Sequence, residues 1–222
     1  MNTMTRQLES WTGEFGRAYT DRNFGSPQEM DEWLAQDFGI HKSDLFRQFL
    51  STQQISSGRV LEVGCNIGLQ LRLLGAANPN LELYGLDPQA YALAKGRELS
   101  PMVNFIPGSA FDLPFKDGYF DVVMTNNVLI HIHPADLPAA LAEIYRSSGQ
   151  YIFLSEYFSE KPCEVNYRGN QGLLWKMNYM QRYLDLFPSL RCVQVRYLSY
   201  PSPDGQSEVT DQVCLLEKDR SQ

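Results

Sequence analysis

Long apolar runs are missing from this 222-residue sequence, and none approaches the ~18 residues that a membrane-spanning helix requires. The opening segment, MNTMTRQLESWTGEF, also lacks the apolar stretch of a secretory signal peptide. We find no internal repeat and no low-complexity segment. These absences predict one cytoplasmic globular domain over residues 1–222.

Cysteine and histidine are scarce, with four and three residues respectively. The cysteines are Cys65, Cys163, Cys192 and Cys214. No two of them form a C-x-x-C pair, so a structural zinc site or a thioredoxin-like motif is unsupported and four reduced thiols are expected. His131 and His133 form a His-x-His pair without a third ligand, so we predict no metal site.

Basic residues are outnumbered, with 19 Lys and Arg against 26 Asp and Glu and a formal net charge of −7. Such a chain repels polyanions, which disfavours nucleic acid and anionic membranes as partners. Single basic residues remain able to bind a small acidic molecule, so we expect a small and anionic acceptor.

The sequence pattern changes near residue 58. Residues 1–57 are typical of a helical extension, with apolar positions at helical spacing over 28–38 and 43–54, and Ser43 or Asp44 is expected to cap the second helix. Residues 58–222 alternate between strand and helix patterns. The predicted strands cover 59–63, 81–86, 103–107, 120–125 and 150–158. The predicted helices cover 67–77, 88–99 (with Pro88 first), 135–147 and 172–187.

The end of the chain predicts an antiparallel hairpin, with strands at 191–200 and 210–218 joined across a PSPDG turn. The whole pattern predicts an α/β fold with a doubly wound, mostly parallel seven-stranded sheet and an antiparallel terminal hairpin. Ligands of open α/β sheets bind beyond the carboxyl ends of the strands, so the functional residues are expected there.

The first strand runs into a turn that contains Glu62, Gly64, Cys65, Asn66 and Gly68. The spacing excludes the dinucleotide fingerprint G-x-G-x-x-G, because position 69 is leucine. It fits the methyltransferase form E-x-G-x-G-x-G, with asparagine in place of the middle glycine. Asparagine tolerates left-handed backbone angles, so we expect the turn to persist.

Three later segments continue the cofactor pattern. Asp87, followed by Pro88, closes the second strand and is expected to accept hydrogen bonds from ribose hydroxyls, although it also suits a helix N-cap. Residues 108–115 resemble a G-D-A-x-x-L-P-F adenine segment, with Ser109 in the aspartate's place ahead of Ala110 and Phe111. The fourth strand opens into Asn126 and Asn127, where backbone carbonyls would meet a methionine ammonium.

The four segments together predict a methyltransferase that uses S-adenosylmethionine and releases S-adenosylhomocysteine. A noncatalytic protein that binds S-adenosylmethionine is an alternative. A nicotinamide-dependent oxidoreductase is a second alternative, but it would require the missing G-x-G-x-x-G fingerprint.

Nearly the whole chain resembles the pseudaminic acid biosynthesis-associated methylases. The segments that carry the resemblance are WTGEFG at 11–16 with Tyr19, Arg22 and Asn23, LEVGCNIGLQLR at 61–72, VLIHIHPADLP at 128–138, EIYR at 143–146, YIFLSEYF at 151–158 and VNYRGNQGLLWK at 165–176. The resemblance implies a sugar-acid or nucleotide-sugar pathway and leaves the acceptor atom, oxygen or nitrogen, undetermined. In similar methyltransferases such an N-terminal arm folds over the cofactor. Trp11 and Tyr19 would then face the sulfonium, whereas the alternative is an arm that only packs on the sheet.

The candidate residues for the acceptor end follow the fourth and fifth strands. His131 and Glu156 are candidate bases, which an acceptor hydroxyl requires and a carboxylate does not. Arg168, in the N-Y-R-G segment beside Tyr167, is a candidate for bidentate contact with an acceptor carboxylate, and Tyr157 is a further candidate. The alternatives are a hydrogen-bonded structural histidine, a salt-bridged strand end and a surface arginine. His133, before Pro134, is expected to begin a turn or cap a helix.

Overall fold

Four helices precede a chain of alternating strands and helices. The computed structural model describes residues 4–23, 25–202 and 208–219. The helices are α1 (Arg6–Thr12), α2 (Glu14–Arg22), α3 (Pro27–Phe38), α4 (Lys42–Thr52), α5 (Leu69–Ala77), α6 (Ala90–Leu99), α7 (Leu137–Ser147) and α8 (Tyr179–Leu186), with a 3₁₀ turn at Leu129–His131. The strands are β1 (Gly58–Val63), β2 (Leu81–Asp87), β3 (Val103–Pro107), β4 (Phe120–Asn126), β5 (Ser148–Tyr157), β6 (Cys163–Glu164), β7 (Trp175–Lys176), β8 (Leu190–Pro201) and β9 (Glu208–Lys218).

Seven strands form one mixed sheet in the order β3-β2-β1-β4-β5-β9-β8. The pairs β1–β2, β2–β3 and β4–β5 are parallel, whereas β5–β9 and β8–β9 are antiparallel. This arrangement confirms the predicted Rossmann-like fold with an antiparallel end. The residues up to Ser109 and those from Ala110 onward form two compact units, and each is described by itself.

The first unit is built on β1, β2 and β3. The last four residues of β1, Val60–Val63, are all buried, as is typical of a parallel strand that is covered on both faces. The helix α3 begins with a capping box between Ser26 and Glu29 and ends at Gly39 with φ of 68°. No helix in the described ranges is long and apolar enough to cross a membrane.

Three helix starts in the first unit differ from the prediction. The helix α5 begins at Leu69 rather than at residue 67, after Gly68 in the left-handed conformation. His41, rather than Ser43 or Asp44, occupies the N-cap position of α4 without a side-chain cap hydrogen bond, and the Ser43 hydroxyl instead donates to Asp31 of α3 at 2.6 Å. Pro88 is not the first residue of α6, which begins at Ala90, because the Gln89 side chain caps it by accepting from the Tyr91 amide at 3.3 Å. The corrections at α4 and α6 come from side-chain contacts that residue spacing alone does not show.

The second unit holds β4, β5, β9 and β8, and the terminal hairpin is confirmed by pairing of Leu190–Pro201 with Glu208–Lys218. The predicted turn covers 201–205, and its residues 203–205 lie outside the described residues. The helix predicted over 172–187 is wrong in its first half. There β7 pairs with β6, and α8 begins only at Tyr179, where the Asn178 side chain accepts from the Gln181 amide at 3.0 Å.

Candidate functional site

The turn after β1, which we call the cofactor turn (residues 62–68), has three residues with left-handed backbone angles. They are Gly64, Asn66 and Gly68, with φ of 73°, 50° and 76°. The amide of Gly64 donates to the Leu86 carbonyl of β2 at 2.7 Å. A Cβ atom on Gly68 would lie 2.8 Å from the Phe105 ring, so this position requires glycine for space as well as conformation. Asparagine therefore keeps the turn, as predicted.

Asp87 ends β2 beside the cofactor turn, and its side chain is only 8% exposed. Its Oδ2 accepts from the Asn66 amide at 2.8 Å, and its Oδ1 accepts from the Gln89 amide at 2.8 Å. Burial raises the pKa of Asp87 to about 6, while these two backbone donors lower it. Each carboxylate oxygen keeps a second lone pair for a ligand hydroxyl.

Two further residues of the turn, Glu62 and Cys65, are buried. Burial raises the pKa of Glu62 well above its usual range, which Lys42 of α4 opposes. Within the described residues, Glu62 Oε2 has no hydrogen-bond partner. Burial, with Asp87 and Glu62, raises the pKa of the Cys65 thiol, which favours the protonated thiol over the nucleophilic thiolate.

The N-terminal arm, defined as residues 5–23, brings Trp11 and Tyr19 together. The Trp11 ring meets Tyr19 and Phe15 edge to face, each with centroids 5.2 Å apart. The arm contacts the cofactor turn through Thr20, whose Oγ1 accepts from Asn66 Nδ2 at 3.1 Å. Thus the two aromatic residues lie on a segment that is tied directly to the turn.

The predicted adenine segment starts at the end of β3. The Gly108 amide donates to the Asp87 carbonyl at 3.2 Å, and the next residue, Ser109, is 9% exposed. In the second unit, Ala110 is buried and Phe111 is partly exposed. Ser109 thus lies two residues past β3, and its neighbour Gly108 is hydrogen-bonded to the backbone of Asp87.

A pair of charged residues on α7 fixes the segment that follows Phe111. The Leu113 amide donates to Glu143 at 2.9 Å, and Arg146 donates to the carbonyls of Leu113 at 2.9 Å and Phe115 at 2.6 Å. Arg146 also pairs with Asp117 at 2.8 Å. The E-I-Y-R segment therefore serves to hold the L-P-F loop in the second unit.

The mouth of β4 is formed by Asn126 and Asn127. Asn127 has a left-handed φ of 54°, and its amide donates to the Ser155 carbonyl at 2.9 Å. Among the residues that the structure describes, the buried Oδ1 of Asn127 has no hydrogen-bond partner. Non-glycine residues in this conformation are concentrated at functional sites, so Asn127 joins Asn126 as a candidate.

His131 lies at the end of the 3₁₀ turn, and its Nδ1 is 2.6 Å from the Leu173 carbonyl oxygen. A carbonyl only accepts, so Nδ1 carries the proton and Nε2 carries the lone pair. Burial lowers the pKa of His131 to about 4, which keeps the imidazole neutral. The ring also lies 5.2 Å from Tyr167. The geometry is that of a neutral histidine that presents an acceptor nitrogen.

Glu156 is fully buried at the end of β5. Its carboxylate accepts from the Val128 amide at 3.0 Å and the Ile130 amide at 3.4 Å, at the start of the turn that carries His131. Burial raises the pKa of Glu156 to about 7, and hydrogen bonds from the Thr125 side chain and from the backbone amides lower it. No ion pair of Glu156 is found within the described ranges.

Arg168 is exposed at the tip of the β6–β7 hairpin, and the turn there is tight. Tyr167 and Asn170 exchange two backbone hydrogen bonds of 2.9 and 3.0 Å, while Arg168 and Gly169 have φ of 54° and 80°. These angles match a type I′ turn, in which asparagine or glycine is usual and arginine is strained. The guanidinium lies 5.9 Å from the Tyr167 ring, which in turn contacts His131.

The remaining candidates, Tyr157 and His133, also lie in the second unit. Burial and Asp211 raise the pKa of Tyr157 to about 12. His133 begins a turn, as expected, since its Nδ1 accepts from the Ala135 amide at 3.2 Å. The described part of the chain shows no group of His, Cys, Asp and Glu that could hold a metal ion. The sequence interpretation missed Gln89 and Thr20, because only their contacts with distant residues reveal them.

Comparison with known proteins agrees with this geometry. Residues 60–148 match the family described as methyltransferase domain. The chain is similar to the demethylmenaquinone methyltransferase of Symbiobacterium thermophilum, with 31% identity over 195 residues that cover 78% of this chain and 74% of that protein. It is also similar to the tRNA U34 carboxymethyltransferase of Syntrophotalea carbinolica, with 34% identity over 42% of this chain and 31% of that protein.

Several other curated relatives are matched over half of their own length or less. Among solved structures, the fold resembles the 1,6-didemethyltoxoflavin-N1-methyltransferase of Burkholderia thailandensis, with a TM-score of 0.63 and 15% identity over 98% of this chain and 92% of that chain. At this low identity, the similarity shows that the two proteins share a fold and says nothing about a shared acceptor.

The sheet order, the cofactor turn and the acidic end of β2 define the class I methyltransferase type of α/β protein. The chain belongs to the family of S-adenosylmethionine-dependent methyltransferases, as its match to the Symbiobacterium enzyme shows. Its cofactor is S-adenosylmethionine.

Proposed function

We propose that this methyltransferase transfers the methyl group to an oxygen or nitrogen of a small anionic acceptor, such as a sugar acid or nucleotide sugar. The observation that carries the proposal is the acceptor-end cluster, defined as His131, Glu156, Tyr167, Arg168 and Leu173. In this cluster the Tyr167 ring contacts both the neutral His131 imidazole and the exposed Arg168 guanidinium. The resemblance to pseudaminic acid-associated methylases supports the acidic sugar.

On the cofactor side, each of the two units by itself offers groups that would fit parts of S-adenosylmethionine. Asp87 would hold the ribose hydroxyls, and the cofactor turn with Pro88 would approach the methionine and ribose parts. Residues Ser109, Ala110 and Phe111 would line the adenine. Asn126 would meet the ammonium, and Trp11 and Tyr19 the sulfonium. Glu62, with its unpartnered buried oxygen, supports the fit because a ligand donor would satisfy it.

On the acceptor side, the chain's residues would orient the reacting group and accept its proton. When bound, S-adenosylmethionine would supply an electrophilic methyl group, with its sulfur as the leaving group that keeps the C–S electron pair. The acceptor's lone pair would form the new bond to carbon, and His131 Nε2 would accept the proton of a hydroxyl or amine acceptor. Arg168 would bind the acceptor's anionic group, and Glu156 would hold the turn that carries His131.

The known relatives differ in the acceptors that their names state, which include a demethylmenaquinone and a tRNA. A chain with a net charge of −7 is poorly suited to bind RNA, because phosphate contacts provide most of the affinity for nucleic acids. We therefore favour the small anionic acceptor over an RNA acceptor.

A mass-spectrometric screen tests the proposal. The protein would be incubated with deuteromethyl S-adenosylmethionine and a panel of sugar acids, nucleotide sugars, the matched neutral sugars and tRNA. We expect a labelled product from an acidic sugar and none from its neutral counterpart. Product from tRNA or from neutral compounds alone would overturn the proposed acceptor. Tight cofactor binding without transfer to any compound would support the noncatalytic alternative.

A further inference from the structure

The residue that departs from the methyltransferase glycine pattern makes a specific long-range contact. Asn66 has φ of 50°, a conformation that glycine adopts at least as readily. Its Nδ2 donates to Thr20 Oγ1 of the N-terminal arm at 3.1 Å, and its Oδ1 accepts from the Ile67 amide at 2.9 Å. Glycine would keep the turn and lose the link to the arm.

A second link joins the arm to the segment after Asp87. Gln89 is 6% exposed, and its Nε2 lies 3.0, 3.0 and 3.1 Å from the carbonyl oxygens of Trp11, Thr12 and Gly13. The Trp11 and Thr12 carbonyls lie at the end of α1, where no further turn of that helix supplies a donor, and the Gly13 carbonyl also accepts from the Arg17 amide of α2 at 3.2 Å. The backbone amide of Gln89 in turn donates to the Asp87 carboxylate. One residue therefore contacts both the arm and the proposed ribose carboxylate.

The arm itself is shaped for this contact at Gly16. A Cβ atom there would lie 1.8 Å from the Trp11 carbonyl oxygen and 3.1 Å from Gln89 Nε2. Only glycine permits α2 to approach the end of α1 so closely. On the outer side, Asp21 accepts from the Tyr91 hydroxyl of α6 at 2.7 Å, which adds a third attachment.

We propose that Asn66 and Gln89 are positioning residues that couple docking of the N-terminal arm to binding of S-adenosylmethionine. The inference rests on the proposed cofactor contacts of Trp11 and Tyr19. If only the docked arm completes the site, the apparent Kd equals the intrinsic Kd divided by the docked fraction. A change in the arm itself, such as Thr20→Val, should then weaken cofactor binding although every residue of the cofactor turn is kept.

The test combines calorimetric titration of S-adenosylhomocysteine with amide hydrogen exchange of residues 6–22. The variants are Asn66→Gly, Thr20→Val and the double variant. We expect each single change to raise Kd about 2- to 10-fold, the range for one hydrogen bond, and the double variant to match the single ones. Exchange of the arm amides should quicken in all three, and it should slow in wild type when the ligand is added.

Two further variants frame the result. Gln54 also has a left-handed φ, of 56°, in the loop after α4, so Gln54→Gly is a matched control that should keep wild-type Kd and arm exchange. Gly16→Ala should displace the arm and raise Kd more than Asn66→Gly does. If Gly16→Ala fails to fold, the Asn66 and Thr20 variants still decide the question.

Three outcomes would overturn the coupling. They are wild-type affinity and exchange in Asn66→Gly, effects of the two single changes that simply add in the double variant, and a raised Kd with unchanged arm exchange. The last result would mean that Asn66 acts on the ligand directly. Failure of the wild-type protein to bind S-adenosylhomocysteine would instead refute the proposed cofactor contacts.

Discussion

The cofactor turn and the acceptor-end cluster are built in different ways. The turn is a short local segment whose backbone angles follow from its own residues, and its partner Asp87 ends the neighbouring strand. The cluster is assembled from three separate segments, with the 3₁₀ turn held by Glu156 and the hairpin held by the His131–Leu173 bond. Local chemistry specifies the first region, whereas long-range hydrogen bonds create the second. Variants should therefore affect the two regions differently.

The largest expected effect is at His131. On a hydroxyl acceptor, His131→Ala should lower kcat by about 10²–10⁴-fold, because the lone pair on Nε2 receives the proton. On a carboxylate acceptor the loss should be smaller and should reflect positioning alone. Steady-state kinetics would measure both, with the exposed His133→Ala as control.

The pH profile sharpens this prediction. Since the pKa of His131 is about 4, the wild-type kcat should not fall through protonation of His131 until the pH approaches that value. Wild-type turnover in His131→Ala on every acceptor would place the reacting group elsewhere.

Glu156 should give the next largest effect, on stability. Its pKa is raised to about 7 from an ordinary 4.5, so the folded protein binds a proton that the unfolded chain releases between these values. The stabilisation is complete below pH 4.5 and is lost as the pH rises through 7. Relative to Glu156→Gln, wild type should lose on the order of 3 kcal/mol of unfolding free energy across this window.

Urea unfolding at several pH values would measure that difference. Glu98→Gln, at an exposed carboxylate of α6, is the matched control and should show no such change in slope. A constant difference between wild type and Glu156→Gln at all pH values would contradict the raised pKa.

Variants of Arg168 should distinguish its contribution to acceptor binding from the backbone strain at its left-handed position. Arg168→Gly should raise the KM for an anionic acceptor, because it removes a charge-assisted contact that contributes roughly 1.5–3 kcal/mol to the binding free energy. The same change should cost no stability, because glycine adopts the left-handed φ of 54° without strain. Arg168→Lys would keep the charge and lose bidentate contact. An unchanged KM in Arg168→Gly would make this residue a surface arginine only.

The smallest effect is expected for Asp87→Ala. Loss of ribose hydrogen bonds, each contributing roughly 0.5–1.5 kcal/mol, should weaken binding of S-adenosylhomocysteine. Calorimetry would measure this, after circular dichroism has shown an intact fold. The exposed Asp185→Asn is the control. Equal affinity in wild type and Asp87→Ala would remove Asp87 from the ribose site.

The strands of the first unit and the backbone of the cofactor turn could be predicted from the sequence for a physical reason. Buried parallel strands have continuous apolar runs. Asparagine is one of the few residues other than glycine that tolerate a left-handed backbone angle, so the conformation of Asn66 could be expected. Pro88 was misplaced as a helix start because Gln89 competes as the cap. The sequence pattern also left Gln89's contact with the arm hidden, since it joins residues 76 to 78 positions apart.

The acceptor side was less predictable. Residues 172–187 fit a helix by spacing, but pairing between β6 and β7 holds Trp175 and Lys176 extended. Glu156 was expected to act as a base or to end in a salt bridge, and the amides of a turn that lies 26 to 28 positions away proved to be its partners. Hydrogen bonds between distant loops leave no periodic signal in a single sequence.

The place of β9 has a consequence for synthesis on the ribosome. This strand follows both β5 and β8 in the sequence, yet it lies between them in the sheet. Until its 11 residues have emerged, β5 and β8 cannot both be paired along these edges, and a nascent chain exposes backbone that can join other chains. By contrast, β1 to β3 pair in the order in which they are made. A chain truncated before β9 would therefore leave β5 and β8 unpaired along these edges and would be prone to aggregation.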